Sequence, residues 1–350
     1  MDTNMSIFPL FDSEHNAKED TKWLKENLHY ENFDEIVRKW KMTGIHRLKC
    51  LEEDHRKNKT ALKLFRNWPH YKLPRGPQLI LIDYDMKFQE SKENLYTRYE
   101  EVFVPFMINH CFPSDLLDPS LAKTFNELTA LKDEMSKDAI NALVMYLLHG
   151  YIKPTRKGEE EEDNIENSED EIPKTKGRGR KKNTNKSKQN PKQIAIIAEA
   201  SANSQSNQQV DKSTSNKFGI ADSIESMIKV RTNISATVPK KKLEQTFILC
   251  IGEDIYHLRD FYIVMEETKY IATSFLHALE VTFKIFNLFN FGYPTESINI
   301  WTFIQKFFFD IHYSKHDFVN TTVGSLMKKL TLFEKDLKTI EMEALDEALL

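Results

Sequence analysis

Two carboxylates, Asp83 and Asp85, follow directly on a short apolar run at residues 79–82. Paired carboxylates at the end of a strand hold Mg²⁺ in several nucleases and transferases. Residues i and i+2 of a strand only share a face, and no third acidic residue follows at a spacing that would complete a site. Asp83 and Asp85 are therefore weak candidates for a metal-dependent, nuclease-like activity, and a solvated strand end is the alternative interpretation.

Histidine and cysteine occur together at two further places. His46, Cys50 and His55 have the chemistry of metal ligands, but on a helix their side chains point in directions that do not converge. His312 and His316 share a helical face close to Asp310, yet no further ligand follows. We expect these residues to be structural or exposed, and we predict no metal and no cofactor.

Recognisable catalytic motifs are missing from this sequence. It contains no GxSxG, no phosphate-binding loop, no HExxH and no dinucleotide fingerprint. Glycine is also scarce, at 10 of 350 residues, whereas phosphate-cradling loops need glycine for their backbone geometry. The sequence therefore favours binding over catalysis, and no small-molecule substrate is inferred.

The most distinctive stretch of the chain lies between Tyr151 and Phe218, where no aromatic residue occurs. Residues 159–171 hold nine carboxylates, and residues 174–192 hold nine cations. A stretch that cannot bury apolar surface cannot offset the entropy lost on ordering. We predict a disordered acidic and basic linker at 153–217.

The basic block of this linker has two candidate roles. Arg-Gly-Arg in an extended chain can enter the minor groove of A·T-rich DNA, although the adjacent carboxylates would compete and leave only weak attraction to nucleic acid. Compact positive charge in a flexible chain also suits an import receptor, which predicts a nuclear protein, with the cytoplasm as the alternative. The candidate contact residues are Lys176, Arg178, Arg180, Lys181, Lys182, Lys240, Lys241 and Lys242.

Ser168 is a candidate phosphorylation site. Acidic residues occupy the three positions that follow it, a pattern that acidophilic kinases accept. A phosphate would add about −1.5 to −2 charges to the acidic block. A solvated serine is the alternative interpretation.

The last helix carries an apolar heptad seam, since its apolar residues are spaced three and four apart in alternation. The seam comprises Val323, Leu326, Leu330, Phe333, Leu337, Ile340 and Ala344. We expect the helix to dock on its own domain or to bind another protein through Leu326, Leu330, Phe333, Leu337 and Ile340. A parallel homodimer is less favoured, because Asp336 would face Glu341 across it.

The remaining elements predict an α-rich protein in two folded blocks. A mainly α-helical block is expected at 16–152, after a disordered tail at 1–15. It should contain a strand or extended segment at 79–84 and a helix from Ser136 to Gly150. A small α+β block is expected at 243–320, with a β-hairpin or three short strands at 245–251, 261–266 and 270–271, then helices from Thr273 or Ser274 and from Ile298. The heptad helix follows at 321–349.

The composition of the chain indicates where in the cell the protein is expected and which kinds of partner it is expected to have. The net charge is −4, and the three cysteines are widely spaced, which favours reduced thiols over a disulfide framework. No apolar run reaches the roughly 18 residues that a membrane span requires, and the N-terminus lacks the order of a signal peptide. We expect a soluble intracellular protein with no membrane partner.

Two segments carry a resemblance. NWPHYKLPRGP at 67–77 with LILIDY at 79–84, and FNLFNFGYP at 286–294 with WTFIQK at 301–306, resemble segments of a multi-copy group of uncharacterised insect proteins. The resemblance implies a shared fold and a mobile-element history, but no known activity or catalytic residue. In addition, GIHRLK at 44–49 resembles the start of the last helix of a SAM domain near residues 30–53.

Overall fold

Serine caps fix the two best-defined helix starts. Ser136 Oγ accepts a hydrogen bond from Ala139 N at 3.2 Å, and Ser274 Oγ accepts one from His277 N at 2.9 Å. Each oxygen satisfies an N–H that has no partner within its own helix. Both helices begin where the sequence predicts.

The computed structural model describes residues 14–28, 31–56, 65–88, 95–115, 118–154, 218–237, 246–312 and 320–348. The N-terminal helices are α1 (Glu14–Glu26), α2 (Phe33–Met42), α3 (Gly44–Arg56), α4 (Gly76–Lys87), α5 (95–115), α6 (Pro119–Leu131) and α7 (Lys137–Tyr151). Two π-helical segments, Arg98–Phe103 and Met107–Cys111, interrupt α5. The first predicted block is therefore helical, as expected.

The C-terminal part is the small α+β segment that the sequence predicts. Its elements are α8 (Ile220–Met227), β1 (Ile228–Arg231), β2 (Phe247–Gly252), β3 (Leu258–Met265), β4 (Thr268–Ala272), α9 (Phe275–Phe289), α10 (Ile298–Phe307) and α11 (Thr321–Ala348). The helix α10 ends at Phe307, and Asp310 just beyond it has a left-handed backbone (φ 52°). The α-rich fold class is confirmed.

The sheet has the order β1-β2-β3-β4, with β1 parallel to β2 and the other neighbours antiparallel. One face packs on the main core. The other face carries a smaller apolar cluster of Phe247, Leu249, Ile251 and Val264. The short 3-10 turn Ile234–Thr237, which follows β1, is bonded to the sheet, since Lys269 Nζ on β4 donates to Ile234 O at 2.8 Å. The strand β1 was not expected from the sequence.

One core joins the two parts. The helix α9 is buried on nearly every side, and α4, α7 and the inner face of the sheet pack against it. Asp138 on α7 accepts a hydrogen bond from Phe275 N at 2.8 Å, and Lys87 donates to the carbonyl of Asn287 at 2.9 Å. Described residues before 155 and after 217 therefore form one compact unit, whereas the sequence predicts separate folded blocks.

Residues 79–84, predicted as a strand, lie instead within helix α4. Pro77 sits in the first turn of this helix, where its missing N–H has no intrahelical partner to lose. Gly76 is required just before it, because a Cβ there would lie 2.1 Å from the carbonyl oxygen of Tyr71. A short, continuous apolar run does not distinguish a buried helix from a buried strand.

Candidate interaction surface on the C-terminal helix

The proximal part of α11 belongs to the protein's own core. Val323, Leu326 and Leu330 are all 0 % exposed. They lie on the face of α11 that packs against α10 and α5. Leu326 and Leu330 were candidate partner contacts, but a partner cannot reach side chains that the core already encloses.

The middle of α11 is fixed to α5 by both apolar and charged contacts. The Phe333 ring lies 5.2 Å from the Phe106 ring and 5.5 Å from the His110 ring. Arg98 Nη2 lies 2.7 Å from Glu334 Oε2, and the Arg98 guanidinium stacks on Phe307 at 4.0 Å. These contacts hold the helix where it leaves the core.

The negative charge of Glu334 is compensated by Arg98 and Lys338. Burial raises the pKa of Glu334, but hydrogen bonds from Lys338 and Arg98 and their positive charges lower it more, so the pKa lies below its usual value. Lys338 Nζ lies 3.0 Å from Glu334 Oε1. Glu334 therefore links α11 to α5 through its ion pair with Arg98.

Beyond Leu337, the seam of α11 is exposed to solvent. Leu337 is half-buried against the core, whereas Ile340 is 61 % exposed and Met342 is 67 % exposed. At about 100° per residue, Ile340 lies about 60° from Leu337 and so continues the seam, while Met342 lies about 140° away. Ile340 is thus the described seam residue that the core leaves uncovered.

Acidic residues surround this exposed position. Asp336, Glu341 and Glu343 are all exposed and lie within four residues of Ile340. No cation occurs among residues 339–343. We call residues 337–348 the distal segment of α11. Asp336, Glu341 and Glu343 lie within about 100° of Ile340 around the helix, so the surface next to Ile340 is acidic. The exposed Lys338 of this segment lies about 160° from Ile340 and pairs with Glu334.

Asp83, one of the two weak metal candidates, is enclosed by hydrogen-bond donors. Its Oδ2 accepts from Trp40 Nε1 at 3.1 Å, from Tyr71 Oη at 2.6 Å and from Arg47 Nε at 2.8 Å. Its Oδ1 accepts from Arg47 Nη2, which also donates to the Trp40 carbonyl. Burial, together with the charge of Asp83, raises the pKa of Tyr71 well above its usual value. All these groups are buried, so the carboxylate is a structural ion rather than a free metal ligand.

Asp85 lies on a different face of α4 from Asp83, since residues two apart on a helix diverge by about 200°. Its side chain is 66 % exposed and lies 3.6 Å from Lys284 Nζ. The structure therefore does not bring the two carboxylates together. Across the described ranges, no group of three or more His, Cys, Asp or Glu residues is placed to hold a metal ion.

The other candidate ligands form pairs only. Cys50 Sγ lies 3.8 Å from His46 Nε2, and His312 Nε2 lies 3.3 Å from Asp310 Oδ1. His316 lies outside the described residues, as does the side chain of His55. Neither pair gains a third described ligand.

The charged linker candidates cannot be located in the structure. The following lie outside the described residues: Ser168, Lys176, Arg178, Arg180, Lys181, Lys182, Lys240, Lys241 and Lys242. Their roles in import, nucleic-acid contact and phosphorylation remain predictions from the sequence.

Among the helices of the described segments, none combines the length and apolar character needed to cross a lipid bilayer. Comparison of the chain with protein-family models, with curated proteins and with solved structures gave no match.

Proposed function

We propose that this protein acts by binding another protein rather than by catalysis, and that the distal segment of α11 is the surface it uses. The observation that carries the proposal is the continuation of the apolar seam to Ile340, past the point where the core ends. A large aliphatic side chain releases about 1.5–3 kcal/mol when it moves from water into an apolar site. A partner that covers Ile340 and the exposed edge of Leu337 gains this free energy.

The charge around the seam selects the chemistry of the partner. Asp336, Glu341 and Glu343 favour an apolar groove rimmed by lysine or arginine, because opposite charges at an interface steer association and fix its register. We therefore commit to a partner protein with a basic rim.

A second copy of this chain fits the surface less well. A twofold interface brings the same patch of both copies together. Carboxylates at 336, 341 and 343 would then face carboxylates across the contact, which is unfavourable. Self-association through α11 is an outcome that the experiments below can detect.

The proposed setting is the nucleus, as a non-catalytic interaction protein whose basic linker serves import or weak nucleic-acid attraction. The support is the compact cationic run at 176–182 and the further cluster at 240–242. A cytoplasmic scaffold that recruits its partner through α11 is the alternative. The enclosed carboxylate of Asp83 offers no support for the remaining alternative, a metal-dependent nuclease-like remnant of a mobile element.

The test compares two variants of the full-length tagged protein, Ile340→Asp and Met342→Asp. Both side chains are exposed to a similar degree, so both variants should keep the wild-type melting temperature. Only Ile340 continues the seam, so only Ile340→Asp should lose binding. Affinity purification from cells should recover a partner protein with the wild type and with Met342→Asp, but not with Ile340→Asp. Raising the salt concentration should release this partner from the wild-type protein.

The recovered protein, once purified, must bind the wild-type chain directly. Equal recovery with both variants, or binding that salt does not weaken, would contradict the proposal. If the tagged protein instead recovered an untagged copy of the same chain, the surface would be one for self-association and not for a different protein.

A further inference from the structure

A groove between helices α6, α7 and α8 and strand β1 has the size of a small-ligand site. Its volume is about 490 Å³, which is within the range of pockets that bind small molecules. Leu121 of α6, Ile224 of α8 and Ile228 of β1 are buried and line its apolar side. Tyr146 of α7 and Ile255, in the turn between β2 and β3, line it as well. The groove can therefore take up an apolar group of a ligand.

Asp118 contributes a carboxylate to this groove, and only one of its two oxygens is engaged. The residue is half-buried at the start of α6, where its Oδ1 accepts hydrogen bonds from Ser120 N at 2.9 Å and from Leu121 N at 3.2 Å. These bonds satisfy the first N–H groups of the helix. Within the described part of the chain, Oδ2 has no hydrogen-bond or ion-pair partner. This oxygen can accept a hydrogen bond from a ligand.

Tyr146 contributes a second polar group to the same groove. Its hydroxyl makes no hydrogen bond to a residue that the structure describes. Burial raises the pKa of Tyr146, and the negative charges of Glu225 and Asp118 raise it further. The phenol therefore stays protonated, and its oxygen can accept a hydrogen bond. Since both carboxylates act on this hydroxyl, the polar groups of the groove lie close to one another.

The charged residues of the described lining leave the groove negative. They are two carboxylates, Asp118 and Glu225, and one cation, Arg231. Arg231 is already engaged, because its Nη2 lies 3.2 Å from Glu225 Oε2 and its Nη1 donates to Val230 O at 2.8 Å. The Glu225–Arg231 pair is neutral as a unit, so the charge of Asp118 remains. This charge attracts a cationic ligand and repels an anionic one.

We propose that this groove binds a small organic ammonium compound, whose apolar body packs on Leu121, Ile224 and Ile228 and whose ammonium group lies at Asp118. The ammonium donates hydrogen bonds to Asp118 Oδ2 and Tyr146 Oη. A hydrogen bond between an ammonium and a carboxylate is roughly twice as strong as one between neutral groups. A metal ion fits less well, because among the described residues no three His, Cys, Asp or Glu side chains are grouped to hold one. This site is independent of the surface on α11.

Three probes of similar shape and different charge test the class of ligand. Phenylpropylammonium, phenylpropanol and phenylpropanoate are each titrated into the full-length protein and followed by ligand-observed NMR. We expect saturable binding of the ammonium compound, weaker binding of the alcohol and no binding of the carboxylate, because only the ammonium compound compensates the charge of Asp118. Equal binding of the ammonium compound and the carboxylate, or no saturable binding of the ammonium compound, would overturn the proposal.

Two matched variants test the role of Asp118. Asparagine caps a helix about as well as aspartate, so Asp118→Asn removes the charge and keeps the start of α6. This variant should bind phenylpropylammonium about tenfold more weakly and phenylpropanol with unchanged affinity, since only the ammonium compound uses the charge. Asp133→Asn, at an exposed position after the end of α6, should alter neither affinity. Unchanged ammonium binding in Asp118→Asn would contradict the proposal.

A variant of Arg231 gives an independent readout, because it should strengthen binding. Arg231→Gln leaves Glu225 without its ion-pair partner and makes the groove more negative. Phenylpropylammonium should therefore bind about threefold more tightly or better, and added salt should reduce this gain. Melting curves verify that all three variants remain folded. Weaker binding of the ammonium compound by folded Arg231→Gln protein would equally overturn the proposal.

Discussion

The guanidinium of Arg47 holds the carboxylate of Asp83 in a buried ion pair between α3 and α4, with Arg47 Nε 2.8 Å from Asp83 Oδ2 and both side chains 0 % exposed. Arg47 also lies over the Trp40 ring at 3.7 Å and donates to Thr43 at 2.8 Å. Since every charged group in this network has a partner, it connects α2, α3 and α4 without leaving a carboxylate for a metal.

Removing one partner of this ion pair should therefore be costly. Asp83→Asn keeps the shape of the side chain but leaves the Arg47 charge uncompensated, and it should lower the free energy of unfolding by about 3–5 kcal/mol in urea titrations. Asp85→Asn is the matched control and should change it by less than about 0.5 kcal/mol. If Mg²⁺ raised the free energy of unfolding of the wild type but of neither variant, a metal site at Asp83 and Asp85 would be supported instead.

The contacts of Asp83 could not be predicted from the sequence. Hydrophobic runs, caps and turn residues act locally, so the helices from Ser136 and Ser274 and the β3–β4 hairpin were predicted correctly. Arg47 and Asp83 are 36 residues apart, and no spacing rule pairs them. The run at 79–84 was misassigned because a helix buried on several sides loses the periodicity that identifies it.

Two further features depend on tertiary packing. The strand β1 has only four residues, of which Lys229 and Arg231 are charged, so no strand pattern reveals it. The heptad seam of α11 was predicted from its spacing, but spacing alone does not give the position at which the core ends. Arg98 and Phe106, which fix that position, lie more than 200 residues earlier in the chain.

Stability should fall in mild acid because of His149. This side chain is 0 % exposed, its Nδ1 lies 2.8 Å from Ser223 Oγ, and burial lowers its pKa from 6.5 to about 3. The unfolded chain therefore binds a proton below pH 6.5 that the folded chain does not bind until about pH 3. Stability from this residue is present above pH 6.5 and is lost as the pH falls towards 3.

The measurement compares His149→Gln with the wild type by urea unfolding at several pH values. Between about pH 6.5 and pH 5, the wild type should lose about 2 kcal/mol more than the variant, since each pKa unit corresponds to about 1.4 kcal/mol. His46→Gln, at an exposed position on α3, is the control for the loss of a histidine side chain that is not buried. Parallel pH profiles for His149→Gln and the wild type would show that His149 is not the responsible group.

Cutting the chain within 158–216 should not separate the two parts. Lys87 and Asp138 bond across to α9 at 2.9 and 2.8 Å, and both parts contribute to one core. After cleavage at a protease site inserted in this range, the two fragments should co-elute in gel filtration and separate only in denaturant. Independent elution of two folded fragments under native conditions would restore the two-block prediction.

Nuclear accumulation should depend on the basic block. Replacing Arg178, Arg180, Lys181 and Lys182 with alanine removes the compact charge that an import receptor would bind, and it should shift a fluorescent fusion to the cytoplasm. The control replaces Lys186, Lys188 and Lys192, the more dispersed cations of the same linker, with alanine. A wild-type fusion that is already cytoplasmic would rule out this role for the linker.

The most direct test of the central claim places a photo-activatable cross-linking amino acid at position 340 or at position 342 of the full-length protein in cells. If the distal segment of α11 binds a partner through its seam, position 340 should give an adduct with a different protein and position 342 should give little. The cross-linked peptide of that protein should lie next to lysine or arginine, as the surrounding Asp336, Glu341 and Glu343 require. Absence of any adduct at 340, or equal adducts at both positions, would contradict the account.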